Sequence, residues 1–118
     1  MSASSSIGVL GEAGPGTGVK GWSNSGTGID ATSATGAALS VHGKVKLSRS
    51  GRTSVSAGHS SRTITMAGVT TASYVIATLQ TNRAGVHVQA VVPSSGKFTI
   101  FLNKAVSGTT YVGYLVVN

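Results

Sequence analysis

The first third of the chain repeats itself every ten residues. From Ser6 the blocks read SIGVLGEAGP, GTGVKGWSNS, GTGIDATSAT and GAALSVHGKV. Their fourth position holds Val9, Val19, Ile29 and Leu39, and their sixth holds Gly11, Gly21, Ala31 and Val41. One position is always large and aliphatic, and the position two further on is usually small. Residues two apart share a face of a strand. Each block is therefore expected to be a short strand with one inward knob and one tight spot, closed by a Gly/Ser/Thr/Asn turn. Fixing the backbone of ten residues costs far more than the roughly 1.5–3 kcal/mol returned by burying one Val or Ile. A lone chain of such blocks has no core, so it stays disordered or wraps around copies of itself. A Gly/Ser/Thr linker has no reason to keep an aliphatic at a fixed period. The repeat therefore points to assembly.

From Lys44 onward the texture changes. Seven short strands are predicted, at about 44–48, 53–57, 61–66, 73–80, 86–92, 97–102 and 110–117. They are separated by turn-like stretches such as SAGHS, AGVTTA, TNRAG and PSSG. That spacing predicts an antiparallel sandwich or barrel. Val86, Val88, Ala90 and Val92 are expected on one face of a strand, as are Phe98, Ile100 and Leu102. The run AGVTTASYVIATLQT reads as strand rather than helix, because it is rich in Val, Ile, Thr and Tyr. In TYVGYLVVN one face carries Tyr111, Leu115 and Val117, and the other carries Val112, Tyr114 and Val116. A strand apolar on both faces is expected to be buried on both. A single small sandwich buries only one face of each sheet. Phe101, Val112, Tyr114 and Val116 are therefore candidates for an interface between copies of the chain.

The alternation GTGV-x-G-x-S-x-S-GTGI resembles repeats in bacteriophage tail fibres and tailspikes and in related bacterial surface proteins. The resemblance covers about residues 6–45. It implies three chains wound into a triple-stranded β-helix, with Val9, Val19, Ile29 and Leu39 on the common axis. The later stretch, from VKLSRSGRTSVSAG to YLVVN, is similar to the small C-terminal β-domain that follows such repeats in some bacterial proteins.

Nine Lys and Arg face only Glu12 and Asp30, for a net charge of +7. Such an excess favours anionic partners, acidic glycans or cell-wall polymers among them, and also keeps copies soluble. Nucleic-acid readers interleave aromatics with basic residues, and the basic segment here has none. The basic loop Arg49-Ser50-Gly51-Arg52, with Arg62 nearby, fits an anion clamp or a solvated turn. Trp22, the single Trp, is expected to face outward, where it could stack on a sugar ring or cover a neighbouring chain.

Other chemistry is poorly provided for. Gly16-Thr-Gly18-Val-Lys-Gly21 matches a dinucleotide fingerprint in letters, but no helical pattern follows it. Two carboxylates in different blocks make a weak basis for glycan hydrolysis. His42, His59 and His87 lack metal-ligand spacing, there is no Cys, and no nucleophile elbow appears. No enzyme activity, cofactor or metal is expected. Neither a signal peptide nor a membrane span is expected.

The resulting expectation is an all-β homo-oligomer, a trimer by the resemblance. Residues 1–42 form a repeat shaft, and 43–118 form a β-sandwich or barrel. The expected role is a structural, fibre-like or surface-display module, extracellular, on a cell surface or on a phage-like particle. The alternative role is a glycan- or anionic-polymer-binding module at a fibre tip, served by Trp22, Arg49, Arg52 and Arg62.

Overall fold

The structure, a computed structural model, describes residues 7–118; Ser6, where the first block begins, and the opening residues before it lie outside. The chain divides into two compact units, Met1–Lys44 and Val45–Asn118. In the first unit the bends at 14–16 recur at 24–26 and 34–36, so the backbone itself repeats every ten residues. Among the described residues no strand precedes Ser50. The expected strand in each block is therefore replaced by extended segments and bends that make no ladder within the chain.

The second unit is all-β, with no helix. Its strands are β1 (Ser50–Val55), β2 (Ser61–Thr65), β3 (Tyr74–Leu79), β4 (Val88–Ser94), β5 (Lys97–Leu102) and β6 (Thr110–Val117). They form two antiparallel three-stranded sheets, β1-β6-β3 and β2-β5-β4. The predicted strand at 44–48 is absent. The Ser50 amide and hydroxyl both donate to the Leu47 carbonyl, at 3.1 and 2.7 Å, so the chain turns there. Val45 and Leu47 are left exposed.

Three connections share one device. Ser56-Ala57-Gly58-His59, Met66-Ala67-Gly68-Val69 and Arg83-Ala84-Gly85-Val86 each close with an amide of the fourth residue donating to the first carbonyl, at 3.1, 3.3 and 3.1 Å. Their glycines have φ of 81°, 81° and 69°. A type II turn demands a positive φ at this third position, and only glycine meets it without strain. The first two follow directly on β1 and β2, and the third lies between β3 and β4.

The core lies between the sheets. Val55, Val69, Phe98, Ile100, Leu102, Val106, Val112 and Val116 are buried. Phe98 meets Tyr114 edge to face, with ring centroids 5.1 Å apart and planes at 66°. Phe98, Ile100 and Leu102 share one face, as read, and that face is the buried one. Strand β4 differs. A register shift between Val88 and Ala90 breaks the alternation, so Val88 lies opposite Leu102 and Val91 opposite Ile100 on the core side. Ala90 and Val92 then fall on the exposed outer face, not with Val88 as expected. The strand also runs through Pro93 to Ser94. Proline is tolerated there because β4 is an edge strand and owes no further ladder bond.

Phe98→Ala should lower the unfolding free energy of the second unit by about 3–5 kcal/mol, the range for a buried aromatic. Phe101→Ala, on the half-open outer face of the same strand, should cost under about 1 kcal/mol in the separated chain. Urea unfolding of both variants checks the pair.

Candidate functional site

The aliphatic row is the first candidate. In the single chain Val9 is 85% exposed, Val19 62%, Ile29 66% and Leu39 75%. Their spacing is held by glycines. A Cβ on Gly11 would lie 2.9 Å from the Gly18 carbonyl oxygen, and one on Gly21 would lie 2.6 Å from that of Gly28. These pairs form the necks of two successive loops, 12–17 and 22–27. At each neck the aliphatic residue of the next block lies across the first glycine. A Cβ on Gly11 would collide with Val19 Cγ2, and one on Gly21 with Ile29 Cγ1. The small sixth position thus makes room for the following block's aliphatic.

Hydroxyls finish the loops. Ser23 Oγ accepts from the Gly26 amide at 2.9 Å, and Ser33 Oγ from the Gly36 amide at 3.0 Å. The first block has Ala13 in the serine's place, and its Gly16 turns at φ 119°. Trp22 opens the second loop and is 75% exposed, no more than Leu39 or Val9 of the aliphatic row.

In the second unit the interface candidates separate. Val112 and Val116 are corrected: both point between the chain's own two sheets and are buried. Tyr114 is half-buried against the same core, with its ring over Gly51. Only Phe101 of the four remains open, on the outer face of β5. The free apolar face of β6 is the opposite one. Register places Val117 beside Tyr74, and Leu115 beside Ile76. Tyr74, Ile76, Val117 and Tyr111, the last partly under Arg52, make an exposed apolar outer face on the β1-β6-β3 sheet, while Leu115 is half-buried.

The basic candidates do not converge. Arg49 packs beside Gly68 and donates through Nη2 to the Asn118 backbone oxygen at 3.3 Å. Its Nε is buried without a hydrogen-bond partner. Arg52 stacks on Tyr111, 4.4 Å from the ring centroid, towards the other end of β6. Arg62 stands on β2, an edge strand of the other sheet. The structure instead brings together Arg83 and Lys104, which line a recess of about 360 Å³ with Asn82, Ala84, Val86 and Ser107. Sequence reasoning missed this pair because the two cations belong to different turns. The signal available was TNRAG, whose turn glycine carries Arg83 two residues before it.

The remaining polar groups have local tasks. His59 Nδ1 lies 3.1 Å from the Ala57 carbonyl oxygen, and His42 Nε2 lies 3.4 Å from Ser40 Oγ. Among the described residues no His, Cys, Asp and Glu gather into a metal-binding group, and no helix is long and apolar enough to cross a membrane. Compared with protein-family models, curated proteins and solved structures, the chain matches none.

Gly21→Ala should loosen the second loop, because the Gly28 carbonyl is backbone and cannot swing away from the added methyl. Overpacking of this kind costs about 1–3 kcal/mol. Gly14→Ala, where an added Cβ meets nothing within 4 Å, should be silent. Limited proteolysis between residues 16 and 31 should be faster in the first variant and unchanged in the second.

Proposed function

We propose that the protein is a structural, fibre-like module, a homotrimer in which residues 7–42 of three chains wind together around Val9, Val19, Ile29 and Leu39. One observation carries this reading: a row of large aliphatics kept at a ten-residue period and left bare in the single chain. Soluble chains rarely leave such a row facing water without a partner surface. Covering each residue with its copies from two other chains removes the exposure without adding sequence. The motif GTGV-x-G-x-S-x-S-GTGI, with its likeness to tail-fibre and tailspike repeats, supports a trimer and a place outside the cell or on a phage-like particle.

The second unit fits the same role. Its exposed face of Tyr74, Ile76, Tyr111 and Val117 offers a surface on which copies can pack. No carboxylate occurs in residues 45–118. The two side-chain carboxylates of the chain, Glu12 and Asp30, stand in different blocks of the repeat, and the module as read needs no cofactor.

Sedimentation equilibrium at micromolar concentration should return three times the chain mass of 11.7 kDa. Val19→Asp or Ile29→Asp should lower the melting temperature far more than Trp22→Ala, since each axial charge would be buried in triplicate. A monomer mass, or equal melting temperatures for the three variants, contradicts the reading.

A further inference from the structure

We propose that the recess between the 82–86 and 104–107 segments binds the phosphate or sulfate group of a sugar ester. One of its two cations is held in place by the protein. Arg83 donates through Nε to Thr110 Oγ1 at 3.1 Å and through Nη2 to the Thr109 carbonyl at 3.0 Å. Thr110 is fully buried and anchored in turn, its hydroxyl donating to the Gly108 carbonyl at 2.9 Å. The guanidinium therefore sits at a fixed place, and among the described residues its Nη1 has no hydrogen-bond partner.

The opposite wall is equally built. Asn103 ties the two segments together, donating from Nδ2 to the Gly85 carbonyl and accepting from the His87 amide, both at 2.9 Å. The Asn103 amide donates to the His87 carbonyl at 3.1 Å. Lys104 follows directly on this clamp.

Two glycines make room for the cations. Lys104 Nζ lies 3.1 Å from where a Cβ on Gly85 would stand, and Arg83 Nη2 lies 2.6 Å from where a Cβ on Gly108 would stand. A side chain at Gly108 would push the Arg83 guanidinium off the Thr109 carbonyl, whereas one at Gly85 would crowd the Lys104 ammonium only slightly. The folded unit contains no carboxylate to neutralise the pair. Two positive groups on one recess repel each other, and an oxyanion between them removes that repulsion and gains charge-assisted hydrogen bonds. Ala84, Val86 and Ala105 supply an apolar wall beside the charged one, and Ser107 a hydroxyl. A volume of about 360 Å³ is at the small end of ligand sites, large enough for a sugar ring with its ester group.

The test titrates the intact protein with glucose 6-phosphate, inorganic phosphate and glucose at about 0.15 M salt, where diffuse surface attraction is largely screened. Amide chemical shifts at 82–87 and 103–108 report binding per chain, so the result does not depend on the oligomeric state. Glucose 6-phosphate should shift these amides selectively, and glucose should not. Tighter binding of glucose 6-phosphate than of inorganic phosphate assigns the site to the ester, and equal affinities assign it to the free ion.

Lys104→Gln should weaken glucose 6-phosphate binding by about ten-fold, as expected for a lost charge-assisted contact. Gly108→Ala should also weaken it, although it changes no charge. Lys97→Gln removes the same charge at the far end of β5, a strand of roughly 20 Å, and should leave binding as it was. Circular dichroism melts confirm that each variant is folded. Shifts spread evenly over the basic surface, or equal weakening by Lys97→Gln and Lys104→Gln, would overturn the site.

Discussion

The contact on which the first unit depends is an aliphatic side chain laid across a glycine of the preceding block. Val19 rests on Gly11, and Ile29 on Gly21. At the same necks the backbone of Gly18 approaches Gly11, and that of Gly28 approaches Gly21. Neither approach leaves space for a Cβ. Over these two junctions the ten-residue period is a packing register, the second block measured against the first and the third against the second; the fourth follows Ala31, not a glycine. The same arrangement fixes one face of Val19 and of Ile29 and leaves the rest bare, which is why the single chain looks incomplete.

The second unit solves a different problem. It has enough large apolar residues for a core of its own, gathered on Phe98, Ile100 and Val112 between two short sheets. Its Ala-Gly turns close β1 and β2 and, at Arg83–Val86, help to shape the basic recess. With no acidic side chain to pair against, its cations find other partners: backbone oxygens for Arg49 and Arg83, and an aromatic ring for Arg52. The fold therefore tolerates a strong positive balance without ion pairs inside this unit.

Much of this was legible in the residues. The period, the small sixth position and the Phe98-Ile100-Leu102 face follow from spacing alone, since side-chain direction repeats with backbone geometry. The use of the small position was not legible, because spacing along one block does not reveal that the next block's aliphatic covers it. The faces of β6 were read correctly but assigned the wrong way round: Val112 and Val116 take the core, and Tyr111 and Val117 face out. Alternation gives two faces without saying which is inside. The irregularity at Gln89 and the edge position that admits Pro93 depend on pairing with β5, which no local pattern encodes. The Arg83–Lys104 recess escaped for the same reason, since it forms only when two turns distant in sequence meet.

The register claim is tested most directly by two deletions compared under a broad-specificity protease. Removing Gly16–Ser25 takes out one whole block and leaves Ile29 ten positions after Val9, with Gly28 able to close the neck on Gly11. Removing only Gly16–Lys20 takes Val19 and Gly18 away and puts Ile29 fifteen positions after Val9. The full-block deletion should stay as resistant to cleavage between residues 7 and 41 as the parent chain. The half-block deletion should be cut quickly there. Equal resistance, or equal digestion, of the two shortened chains would show that the ten-residue spacing is not a packing register.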